Sequence, residues 1–200
     1  MARNTVVRSL HDLGLGAWFG GSLMGAIGVN GAAADVDDPT QRARVANAGW
    51  ERWTPVNAVA IGAHVIGGIG IIRANTGRIK GQKGVAGATV LKAGLTGAAL
   101  LATAYSRAAG QKVISAGDVP VAGGTDPLPS TPPEVAKAQK QLKVLQWVIP
   151  ALTGAVMVMN AYQGEQQKPD EVSKGVVGRL GQATVGSLIG AGTGAAKLAS

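Results

Sequence analysis

Two ionisable side chains lie inside stretches that are otherwise apolar: His64 within Trp53–Ile72 and Lys92 within Gly84–Ser106. At membrane depth such a group marks a proton relay, an ion path or a ligand site by default. Asn57, Asn30 and Asn160 have similar settings, and each amide offers both donors and an acceptor. A relay or cation path needs carboxylates, and no Asp or Glu falls inside an apolar stretch. Lys92 sits about 12 Å into its stretch at about 1.5 Å of rise per residue. Its stem is long enough to carry the ammonium back to an interface. His64 is expected as a neutral imidazole hydrogen-bonded to a neighbouring helix. The three Asn amides are expected to bond across helices, at about 0.6 kcal/mol each.

The second histidine, His11, precedes the first apolar stretch and is expected at its cytoplasmic end, away from the depth of His64. Two axial haem ligands must meet at one depth, and a divalent ion wants further His or carboxylate ligands. No metal or cofactor site is therefore expected. The absence of cysteine excludes disulfides, thiolate sites and thiol catalysis. No nucleophile elbow, P-loop, zinc-protease or dinucleotide fingerprint occurs. With no nucleophile–base pair to assign, the chain is not expected to be an enzyme. Asp35, Asp37 and Asp38 precede Pro39-Thr40, the pattern of a solvated turn and a helix cap formed by Asp38 or Thr40.

The elements carrying these residues are four weakly charged apolar runs: Leu13–Ala34, Trp53–Ile72, Gly84–Ser106 and Val144–Gly164. Roughly 20 apolar residues make a helix long enough to cross a bilayer. The class expected is therefore all-α, a polytopic membrane bundle of about four Gly/Ala-rich helices over residues 1–164, followed by a Gly-rich tail over 165–200. The net charge of +8 is spread over loops, with no basic stripe interleaved with aromatics. Attraction to anionic headgroups explains it better than nucleic acid does. With both termini cytoplasmic, ten Lys and Arg lie inside and eight outside. The short loop Arg73–Lys83 is the densest in basic residues, and the positive-inside rule favours that orientation. A competing reading makes Leu13–Val29 the core of a signal peptide cleaved after Ala32-Ala33-Ala34, but the run exceeds the usual 7–15 residues.

Lipid tails are as apolar as leucine, so helices in a bilayer associate through small residues that let backbones approach. Gly21, Gly25 and Gly28 in the first run and Gly94 and Gly97 in the third are the packing candidates. Trp50, Trp53 and Trp147 stand at run boundaries, as interfacial anchors do, while Trp18 lies deeper. Five prolines and Gly123-Gly124 make residues 118–133 a linker without core-forming residues. Pro133-Glu134 then opens a helix, and Pro150 falls inside the fourth run. The tail is expected as a surface helix or disordered, with Leu180–Ala196 long enough for a fifth crossing.

His11-Asp12-Leu13-Gly14-Leu15-Gly16-Ala17-Trp18-Phe19-Gly20-Gly21, with Arg42-Ala43-Arg44 and Pro55 after it, resembles the opening of small bacterial four-span membrane proteins of unknown function. The resemblance covers the first third of the chain and implies a four-helix membrane bundle without supplying an activity. The Ala/Gly/Val-rich composition is similar to that of actinobacterial proteins. The function expected is a structural or accessory component of a bacterial plasma-membrane assembly, as a homo-oligomer or in a larger complex. The rival is a small transporter or channel using the polar groups in the bundle. Carbonate washing of membranes, followed by intact-mass measurement, checks the class. The full-length chain is expected to stay with the membrane, and release by carbonate would make it a soluble bundle.

Overall fold

The computed structural model describes residues 4–178, and all regular structure among them is helical. Helix α1 spans Thr5–Met24, continues through one π-helical turn, Gly25–Val29, and ends as α2, Asn30–Ala34. Helices α3 (Pro39–Ala74), α4 (Thr76–Gly81), α5 (Val85–Ser115) and α6 (Pro133–Glu165) follow. A further helical segment occupies residues 169–178. The candidate fifth crossing, Leu180–Ala196, lies outside the described residues.

Local chemistry sets the helix starts. Asp38 caps α3: its Oδ1 accepts from the Thr40 hydroxyl at 2.8 Å and the Thr40 amide at 2.9 Å, with Pro39 at the first helical position. These bonds, the hydroxyl's first, hold the Asp38 carboxyl below the ordinary aspartate range. Gly84 precedes α5 at φ +85°, a left-handed conformation that needs glycine. Pro133 and Glu134 open α6 as expected. Pro55 and Pro150 lie inside α3 and α6, each removing one backbone donor from its helix.

Among the described residues, three helices are long and apolar enough to cross a membrane: α3, α5 and α6. They define a helical membrane bundle. Helix α1 carries Arg8, His11 and Asp12 and does not join them on composition. Two antiparallel pairs make up the bundle, α1 on α3 and α5 on α6, and α1 also packs against α6. Leu15, Trp18, Ala99, Ile149 and Val156 form the core where they meet.

The pairing moves the first run from its expected position. Gly70 lies against Val7, Gly14 against Ala60 and His64, Gly21 against Trp53, and Gly25 against Trp50. The apolar half of α3 is thus flanked by Thr5–Met24 and not by Leu13–Ala34. Residues 25–34 continue beside the polar first half of α3. The hydropathy pattern missed this shift because it ends the run where the charges begin. Close packing of α1 on α3 carries those charges in.

The packing glycines are also different in part. Gly21 and Gly25 meet the rings of Trp53 and Trp50, as interhelical contacts should. Those two indoles are therefore helix-packing groups more than lipid anchors, whereas Trp147 is half exposed. Gly28 is exposed and its nearest neighbour is Met24 of its own helical run. Among the described residues, Gly94 and Gly97 have nothing within 4 Å of a β-carbon position. The tightest backbone contacts are made instead by Gly14, where a β-carbon would lie 2.6 Å from His64 N, and Gly67, where it would lie 2.6 Å from His11 N.

The Pro/Gly-rich stretch 118–133 is a packed cap, not a linker without a core. Val121 is fully buried with Ala43, Val113, Val135 and Ala138, drawn from α3, α5 and α6. The Val121 amide bonds Pro39 O at 3.1 Å, and the buried Gln139 amide donates to Gly123 O at 2.9 Å. Prolines hide few backbone donors, so such a segment can fold back on a few hydrogen bonds.

At Gly14 and Gly67 the obstructing atoms are backbone, which cannot rotate away. The overpacking cost of about 1–3 kcal/mol then exceeds the helix-propensity gain of up to about 1 kcal/mol for Gly→Ala. Gly14→Ala and Gly67→Ala are expected to unfold at lower temperature than wild type in detergent. Gly94→Ala is expected to match or exceed wild type.

Candidate functional site

The α1–α3 contact brings together the chain's only two histidines. His11 and His64 are 3% and 1% exposed, and their rings stack with centroids 4.0 Å apart at an interplanar angle of 17°. The depth argument that separated them fails, because the shifted register sets His11 level with His64. Each imidazole binds the other's backbone: His11 Nδ1–H donates to His64 O at 2.8 Å, and His64 Nδ1–H donates to His11 O at 3.0 Å. A carbonyl oxygen only accepts, so both rings carry the proton on Nδ1. The arrangement is reciprocal because both helices carry His-x-x-Gly, as His11/Gly14 and His64/Gly67. That repeated spacing was the signal in the sequence that could have revealed it.

Lys92 does not snorkel. It turns inward from α5, and its Nζ donates to His11 Nε2 at 3.2 Å and to Asn160 Oδ1 at 3.0 Å. Asn160 in turn donates from Nδ2 to Asp12 Oδ1 at 3.1 Å. A line of polar groups thus runs from His64 through His11, Lys92 and Asn160 to Asp12. The carboxylate that the hydropathy pattern placed outside the bundle supplies its end. Trp18 is fully buried beside the pair, edge-on to His64 with centroids 6.2 Å apart, and its indole N–H donates to Thr103 at 3.2 Å.

The other two Asn candidates lie elsewhere. Asn30 stands at the opposite end, where it accepts from the Trp50 indole at 2.9 Å and donates to Gln146 at 2.8 Å. It joins α2, α3 and α6, as a cross-helix amide should. Asn57 does not bridge helices: its Oδ1 is buried without a hydrogen-bond partner among the described residues.

Beside the His–Lys cluster lies a cavity of about 260 Å³ between α3 and α5, closed at one end by α4 and the residues following α6. His11, His64 and Lys92 form one wall, and Ile69, Ile72, Ile79, Val85 and Leu100 make most of the remainder apolar. Arg78 stands at the α4 end, held by Gln82 Oε1 at 3.0 Å and Gln166 O at 2.8 Å. Burial, then the charge of Arg8, lowers its pKa, yet an arginine remains a cation. The lining includes no Asp or Glu. Among the described residues no group of three or more His, Cys, Asp or Glu could hold a metal ion.

Fold and site define the class as a helical membrane bundle with a polar cluster beside a half-open cavity. No protein-family model matches the sequence, and comparisons with curated proteins and with solved structures give no match.

The two imidazoles act as a unit. His11→Ala and His64→Ala are each expected to cost about 2 kcal/mol or more through lost ring packing and one interhelical bond. The double variant is expected to cost less than their sum, by about 0.5–3 kcal/mol. Unfolding of the two single variants and the double variant in detergent measures that coupling, and strict additivity would mean that the stacking is energetically idle.

Proposed function

We propose that this chain is a non-enzymatic integral protein of a bacterial plasma membrane that admits a small ligand into its bundle, as a small carrier does. The carrying observation is the cavity walled by His11, His64 and Lys92. Polar groups at bilayer depth are costly, and this cluster adjoins open space where closer packing would otherwise seal it. In this reading α1 supplies a fourth crossing beside α3, α5 and α6. Arg8, His11 and Asp12 are tolerated in it because neighbouring helices offer partners. Both termini are cytoplasmic, which puts the basic loop around α4 on that side. The resemblance of the first third to bacterial four-span proteins fits the same picture.

A structural or accessory role is the second reading, favoured by one face of α5. Gly87 and Gly94 have open space where a side chain would stand, and Val90, Leu91 and Leu101 are exposed. That surface suits lipid or a partner helix equally. An oligomer stable in mild detergent and broken by Gly94→Leu would support this role.

The cysteine-free sequence makes the ligand reading directly testable. Thr96 lines the cavity and Ala99 is fully buried in the core. A thiol reacts with maleimide as its thiolate, which requires access to water. In purified protein stripped of bound lipid, Thr96→Cys is expected to be labelled in non-ionic detergent and Ala99→Cys to stay inert. Equal inertness would mean a sealed cavity, and the ligand reading would fail.

A further inference from the structure

The cavity's shape and charge narrow what it can hold. Its lining on α5 runs from Val85 to Leu100, about 22 Å at about 1.5 Å of rise per residue. A volume of only about 260 Å³ over that length is long and narrow. It suits one flexible chain better than a compact ring system. Most of the surface the walls present along this length is apolar, from Ile69, Ile72, Ile79, Val85 and Leu100, interrupted by Thr89, Lys92 and Thr96 on α5, and that apolar surface solvates hydrocarbon.

Two cations line the cavity, Lys92 midway along its α5 lining and Arg78 at the α4 end. Lys92 is answered in part by Asp12 through Asn160. Arg78 has no such partner: its guanidinium is held by the neutral oxygens of Gln82, Asn75 and Gln166 and makes no ion pair among the described residues. These neutral acceptors take four of its five N–H donors without cancelling its charge, so one N–H and the full charge remain for an anionic oxygen group. On the same wall, Gln166 keeps a buried Oε1 without a partner among the described residues.

We infer that the cavity binds a single-chain anionic amphiphile, with its carboxylate or phosphate head at Arg78 and its tail running past the His–Lys cluster to Leu100. The inference rests on the ligand reading above and adds the ligand's chemical class. A free fatty carboxylate and one chain of an anionic bilayer phospholipid present the same chemistry to these residues.

The test titrates the full-length protein in a non-ionic detergent with dodecanoate, dodecanol and dodecyltrimethylammonium, followed by calorimetry. The three probes share one chain and differ in head charge. Saturable binding of dodecanoate alone is expected. Arg78→Gln should weaken it about tenfold or more, the loss of a charged hydrogen bond. Arg73→Gln, an exposed cation outside the cavity, should change it by less than about twofold. Should Arg78→Gln fail to fold, the head-group series in wild type decides alone. Equal binding of all three probes, abolished by Leu100→Trp, would overturn the anionic class and leave the ligand reading standing. No binding by any probe would overturn the inference, and labelling of Thr96→Cys then judges the ligand reading separately. Native mass spectrometry of protein extracted from membranes separates the sources. A retained fatty carboxylate or anionic phospholipid, lost in Leu100→Trp, upholds the class and names the source, whereas a retained neutral lipid overturns it.

Discussion

Helices in a bilayer cannot be driven together by hiding apolar surface, since lipid hides it equally well, so association depends on close backbone approach and interhelical hydrogen bonds. In this protein both occur at one place. Gly14 and Gly67 let α1 and α3 come into backbone contact, and that approach brings each imidazole within reach of the opposite helix's carbonyl. The remaining architecture follows from this crossing. It fixes the register of α1, sets which residues of α1 lie at apolar depth, and puts the polar side of α1 towards α5 and α6.

The register has an electrostatic consequence. Sliding α1 so that Thr5 begins beside the last apolar turn of α3 takes His11 and Asp12 with it. Those groups persist at that level because α5 and α6 meet them with Lys92 and Asn160. A lysine whose carboxylate is reached only through an amide keeps part of its charge available. The adjoining cavity is walled in part by that lysine and, at its α4 end, by Arg78. Stability of the crossing and chemistry of the site thus share the same side chains.

The opposite end of the bundle is organised by amides in place of imidazoles. Asn30 ties the continuation of α1 to Trp50 and Gln146, and Gln139 binds the carbonyls of Gly123 and Gly124. The Pro/Gly-rich segment is thereby held over the ends of α3, α5 and α6 around Val121.

Length and hydropathy determined the helical membrane class, and local capping chemistry marked helix starts near Asp38 and at Pro133. These depend on local composition and on capping groups within a few residues. The positions of His64, Lys92 and Asn160 among apolar neighbours were also legible, as was the packing of Gly21 and Gly25. Tertiary structure alone decided that His11 lies beside His64, that Lys92 faces inward, and that Gly94 and Gly97 have no close neighbour at a β-carbon position among the described residues. It alone decided the register of the first helix. The physical reason is the same in each case. Hydropathy records what a segment prefers as solvent, whereas these outcomes depend on which backbone another helix presents at that level, a non-local property that the His-x-x-Gly repeat encodes only in pairs.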